Sequence, residues 1–101
     1  MRFEWDESKN RVNRTKHGID FSFARLAFDD PFAITIQDRD VKGEQRYQLI
    51  GAVYSRVILV AHAIAVLEEE EAVIRIISAR KATPLERKRY EENYSNDPAD
   101  N

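Results

Sequence analysis

The chain has 101 residues, no cysteine and a formal net charge of −2, which bounds it to one domain with a modest core and no disulfide or thiolate metal site to reinforce it. A content of 43% hydrophobic and 34% charged residues excludes a disordered chain, and the acidic balance excludes a protein that coats nucleic acid by bulk charge. The opening MRFEWDESKN holds no apolar signal core and no apolar run reaches bilayer-spanning length, so the expectation is a soluble, cytoplasmic protein without membrane contact.

Alternation in RFEW puts Phe3 and Trp5 on one side and Arg2 and Glu4 on the other, which predicts a short half-buried strand. Asp6 is placed to cap a first helix and Gly18 to end it. Between them Val12 is almost the only apolar side chain, so this helix buries little and lies on the surface or faces a partner. His17, in its last turn, favours the helix dipole when charged. A second helix starts from Asp20, carries Phe21, Ala24 and Phe28 at helical spacing, and is stopped by Asp29, Asp30 and Pro31.

From Phe32 onward the period changes to that of strands: FAITIQD, QRYQLIGAVY, RVILVAHAIAV and AVIRIIS. Turns fall at RDVKGE, where Gly43 accepts a positive φ, and near Ser55. Such short connections predict an antiparallel meander. The acidic run Glu68 to Glu71 reads as a solvated hairpin tip, because adjacent like charges seek water. Thr83, Pro84 and Glu86 form a capping box with proline at the first helical position, so a C-terminal helix starts at Pro84. The fold expected is α+β: a single small domain over residues 1–94, with an antiparallel sheet of four to five strands, two N-terminal helices and one C-terminal helix. Residues 95–101 read as an acidic, disordered tail.

Charge is placed rather than averaged. Residues 72–90 hold Arg75, Arg80, Lys81, Arg87, Lys88 and Arg89 against Glu86 alone, a net of plus five in a chain of minus two. An arginine in an apolar strand must meet a carboxylate or open to a groove, because an unpaired charge is costly to bury. Glu44, Asp38 and Asp40 are the available partners for Arg75, and the alternative is an anion. Planar guanidinium forks suit phosphate. Strict alternation sends Arg75 and Arg80 to opposite sides, so they share a face only if the strand ends or bulges near Ser78. Asp38, Asp40 and Glu44 have spacing that suits a hard cation, but their basic neighbours oppose one; neither metal nor cofactor is expected. His62, inside an apolar strand, reads first as a core imidazole and second as a general base.

Taken together, FEWD, Asn13 with KHG, FDDP, GEQR with Gly51 beyond it, and RIISARKAT followed by ERKRY give the chain, from Phe3 to Tyr90, a pattern that resembles the BrnT toxins of bacterial type II toxin-antitoxin systems. The resemblance implies a RelE-like fold and an endoribonuclease that cleaves RNA and inhibits translation. It also implies a cognate BrnA-like antitoxin with a ribbon-helix-helix region, two toxins with two antitoxins, and DNA contact only through the antitoxin.

RNA carries its own nucleophile, so a metal-free enzyme needs only to position the backbone, stabilise the phosphate and move two protons. On that basis Arg75, Arg80 and Arg46 are candidates for the phosphate, with Ser78 and Lys81 as further contacts. Lys16, His17, His62 and Tyr90 are candidates for the protons, and Tyr47 or Tyr90 for stacking a base. Ala63 and Ala65 stand where the family commonly carries a threonine and an arginine. Their presence removes a phosphate contact and leaves a second reading open, a weakened or inactive module that binds RNA or antitoxin.

Overall fold

A short strand, two helical segments, a four-strand meander and a last helix make up the computed structural model, which describes residues 1–66 and 71–95. The elements are β1 (Arg2–Glu4), α1 (Glu7–His17), α2 (Phe21–Ala24) tightening into a 3-10 turn (Arg25–Asp29), β2 (Ile34–Val41), β3 (Glu44–Val53), β4 (Arg56–Val66), β5 (Ala72–Lys81) and α3 (Pro84–Ser95). The strands lie in the order β1-β5-β4-β3-β2.

The meander from β2 to β5 is antiparallel as expected, but β1 joins it parallel to β5, so the sheet is mixed. A parallel neighbour needs a long crossover, and here everything from α1 to β4 supplies it. The second helix is also shorter than its spacing suggests. Its α-helical part ends at Ala24, and Phe28 lies on the 3-10 turn, half-buried beside the fully buried Ala27. At the C-terminus α3 runs to Ser95, one residue past the expected boundary. The rest of the expected tail and most of the acidic tip, Glu68 to Glu70, lie outside the described residues, while Glu71 is exposed.

The local signals have direct counterparts. The Asp6 carboxylate accepts hydrogen bonds from the backbone N–H groups of Ser8 and Lys9 at 2.8 and 3.2 Å, and Gly18 closes α1 with a φ of 71°. Thr83 and Glu86 cap α3 reciprocally at 2.9 and 3.2 Å. Lys42 and Gly43 join β2 to β3 with φ values of 52° and 81°, the pair of positive values that matches the twist of a two-residue hairpin. Gly51 is required for a different reason: a Cβ there would meet the Ala27 carbonyl oxygen at 3.0 Å, so its absence lets the 3-10 turn pack onto β3.

Alternation gives the sheet two apolar faces. On one, Ile58, Val60, Ile74, Ile76 and Ala79 meet Phe21 and Ala24 of α2, with Phe3, Trp5 and Phe28 at the margin. Each fully buried large side chain contributes roughly 1.5–3 kcal/mol. On the other, a smaller group of Ile50, Leu59 and Tyr90 anchors α3. α1 has almost no apolar side chain to bury and is held by amides instead. Asn13 donates to the carbonyls of Ile19 and Ala79, both at 2.9 Å, and accepts from the Ala79 N–H at 3.1 Å. Its side chain thus pairs with β5 as a neighbouring strand would, on the stretch that short β1 does not reach.

Candidate functional site

The face of the sheet that carries α3 is covered at one end only. Beyond Leu59, β4 presents Ala61, Ala63 and Ala65 on this side, and cross-strand register sets Arg46 and Arg75 on either side of Ala63, with Glu4 next to Arg75. A small residue between two long cations leaves room for their guanidinium groups to lean together. Glu44, two residues from Arg46 and therefore on the same side of β3, forms an ion pair with both, at 3.4 Å to Arg46 Nε and in direct contact with Arg75. The Arg46 Nε is buried and has no hydrogen-bond partner with acceptable geometry. An unsatisfied buried donor is costly, and this one sits where an added acceptor would be welcome.

Two bulges shape this face. Opposite Ala61 and His62, β5 holds one extra residue, Ile77, since Ala61 pairs with Ser78 and His62 with Ile76. That insertion turns Arg80, opposite Leu59, to the same face as Arg75, opposite Ala63. Four register positions separate them, about 13 Å along the strand. Each arginine has its own carboxylate: Arg80 grips Glu86 with both terminal nitrogens, at 2.8 and 3.0 Å. This contact pulls the Glu86 carboxyl below its usual range and pushes the Arg80 guanidinium up. The second bulge, at Asp38 and Arg39 of β2, lies beside Arg46.

Tyr90 closes the covered end rather than joining the arginines. Its hydroxyl donates to Asp30 Oδ2 at 2.6 Å, and the same carboxylate accepts the N–H groups of Ala52 at 2.8 Å and Phe32 at 2.9 Å. Burial, then the Asp30 hydrogen bond, drives the Tyr90 phenol to a higher pKa, so it stays protonated as a strut under α3.

Other residues singled out by sequence lie elsewhere. His62 and Tyr47 are cross-strand partners on the opposite, helix-covered face, with rings stacked at 5.9 Å. His62 also meets Phe28 edge-on at 4.9 Å, and its Nδ1 lies 3.1 Å from the Val60 carbonyl. It is 1% exposed, and burial holds the imidazole below its ordinary pKa, in the neutral form. The sheet itself separates it from Arg75. Lys16 and His17 are on α1 and border, with Ser78, a cleft between that helix and β5. Lys81 shares a groove with Arg56, Arg87 and Glu91. Among the described residues no group of three or more His, Asp or Glu side chains is placed to hold a metal ion.

The residue that sequence reading undervalued is Glu44. It was named as a possible partner for Arg75, but its bridge to Arg46 was not foreseen. The signal was there: a Glu-x-Arg spacing on a strand puts both side chains on one face.

Comparison with curated proteins finds no match. Against families, residues 5–86 match the one described as the ribonuclease toxin, BrnT, of the type II toxin-antitoxin system. That span takes in α1 and α2, the sheet from β2 to β5 and the capping box of α3, hence Arg46, Arg75 and Arg80 with their carboxylate partners Glu44 and Glu86. A ribonuclease acts on RNA and a type II toxin has a cognate antitoxin as its partner, so the arginines of the open face stand in a protein with an anionic substrate. The chain belongs to the BrnT family of ribonuclease toxins.

Proposed function

We propose that this toxin cleaves RNA without a metal ion, on the open alanine-floored face of the sheet, with Arg46 and Arg75 holding the scissile phosphate and Glu44 as general base. The observation that carries this reading is Glu44 bridging both guanidinium groups over Ala63. The Glu44 carboxylate takes the proton of the RNA 2′-hydroxyl; the 2′-oxygen attacks phosphorus; the bond to the 5′-oxygen breaks, that oxygen takes a proton from water, and the hydroxide so formed recovers the proton from Glu44. The products are a 2′,3′-cyclic phosphate and a 5′-hydroxyl end. Each guanidinium has five N–H donors, so holding Glu44 leaves donors for phosphate oxygens.

Arg80 lies further along β5 on the same face and suits a neighbouring phosphate, while Lys81 falls outside the strip, in the groove it shares with Arg56 and Arg87. Lys16, His62, Tyr47 and Tyr90 fall outside this set because they lie on α1, on the opposite face or in the α3 strut. The toxin works in the cytoplasm, inhibits translation, and is neutralised in an assembly of two toxins with two antitoxins, whose antitoxin part makes the DNA contact. The competing reading, binding without turnover, draws on Ala63 and Ala65, which put no polar group on the floor.

Purified antitoxin-free protein, incubated with a defined RNA in chelator, separates the two. Cleavage leaving cyclic phosphate ends is expected, with Arg75→Ala and Glu44→Gln each lowering the rate by about 10²–10³-fold, the usual effect of removing one preorganised transition-state contact. Full activity in Arg75→Ala would falsify the assignment of the site, and folded protein that binds RNA without cutting it would establish the binding module.

A further inference from the structure

The outer face of α1 serves neither the core nor the arginine face. Val12 stands near its centre, 65% exposed. Lys9, Arg11 and Lys16 surround it and form no ion pair among the described residues, whereas Arg14 on the same helix pairs with Asp20 at 2.6 Å. The chain as a whole has more acids than bases, 18 against 16, so cations left unpaired together on one helix are a local arrangement. A lone exposed valine means little. Here it divides two depressions. One, of about 340 Å³, lies between α1 and β5 and is bordered by Lys9, Asn13, Lys16, Ile77 and Ser78. The other, of about 330 Å³, lies toward Arg11, Thr15 and Lys16. Ile77, the extra residue of the β5 bulge, supplies apolar surface to the first.

We propose that this face of α1 receives an acidic segment of the cognate antitoxin, seating an apolar side chain between Val12 and Ile77 and carboxylates over Lys9, Arg11 and Lys16. The proposal rests on the family reading, which supplies the partner, and it adds the surface and the chemistry of the segment. A peptide with an apolar anchor and flanking acids uses both parts of this surface, as amphipathic segments do in grooves. RNA uses only one. No Phe, Tyr or Trp borders either depression for a base to stack on, and a phosphate gains nothing from the apolar floor.

Isothermal titration of the purified cognate antitoxin into the full chain tests this, using a Lys9→Glu and Arg11→Glu double variant and, separately, Val12→Asp. All three positions are exposed, and circular dichroism checks that each variant is folded. Both variants are expected to raise Kd by about tenfold or more, roughly 1.4 kcal/mol, while antitoxin-free RNA cleavage stays at the wild-type rate. An unchanged Kd in both overturns the proposal. Cleavage lost with Kd unchanged overturns it too and gives this face to RNA. Arg75→Ala measured in parallel keeps the two readings apart, since cleavage surviving there defeats the arginine site and leaves the α1 result standing.

Discussion

On β4 the two faces of the sheet part company within one residue. His62 turns toward Phe28 and Tyr47 and is buried between their rings, at the floor of a cleft it shares with Thr35 and Ile64, while Ala63 turns the other way and lies between two arginines. The first face is packed by large apolar side chains and one neutral imidazole. On the second, past α3, small residues lie under long cations that are already paired with carboxylates. One face holds the larger core and the other carries the arginines on which we place the proposed chemistry, and the same strand serves both because alternation sends neighbouring side chains opposite ways.

That contrast predicts that substitutions on the helix-covered face cost stability and those on the open face cost activity. The largest effect is expected for Phe21→Ala, at a fully buried position, with a loss of about 3–5 kcal/mol in denaturant titration. Cleavage per folded molecule should be unaffected. Asn13→Ala comes next. It leaves the N–H and carbonyl of Ala79 without their partner, and about 1–3 kcal/mol should go, by the same measurement. Hydrogen exchange should rise first in the 76–81 part of β5, and uniform protection there would show that α1 is held by something else.

Arg46→Lys sharpens the comparison from the other side. It keeps the charge but loses the planar fork, so RNA cleavage is expected to fall by about tenfold, roughly 1.4 kcal/mol of barrier, with an unchanged melting temperature. A variant that melts early yet cleaves at the wild-type rate would reverse the roles given to the two faces.

The smallest effect is a slope with pH. Burial lowers the folded pKa of His62 below its unfolded value, so the unfolded chain binds a proton that the folded chain does not. Stability therefore falls as pH drops below about 6.5 and is recovered as pH rises. His62→Gln should flatten that part of the stability profile between neutral and mildly acid pH. Cleavage should persist in this variant, whereas an activity loss with the acidic slope intact would return His62 to the chemistry.

Several parts of the fold were legible because their causes are local. Asp6 and Gly18 bound α1, Thr83 and Glu86 cap α3, and Gly43 turns β2 into β3, each through contacts within a few residues. The parallel pairing of β1 was not legible, since Phe3 alternates alike beside either kind of neighbour; only its partner Ile74, far along the chain, decides direction. The 3-10 turn escaped for a related reason. Spacing of Phe21, Ala24 and Phe28 suits a helix, but the approach of Ala27 to Gly51 tightens the segment. Nor does composition reveal that Asn10 and Asn13, polar residues on a polar helix, are its buried ones.

For the site, the sequence determined that arginines and a strand lie together, that Arg75 needs a carboxylate or an anion, and that sharing a face with Arg80 requires a bulge near Ser78. Tertiary structure decided the rest. It put the bulge at Ile77, gave Arg75 and Arg80 different carboxylates, joined Arg46 to Arg75 through Glu44, and sent His62 and Tyr47 to the far face. The physical reason is range: caps, turns and alternation depend on neighbours in sequence, whereas the face a side chain occupies in a sheet depends on register, and one inserted residue reverses it.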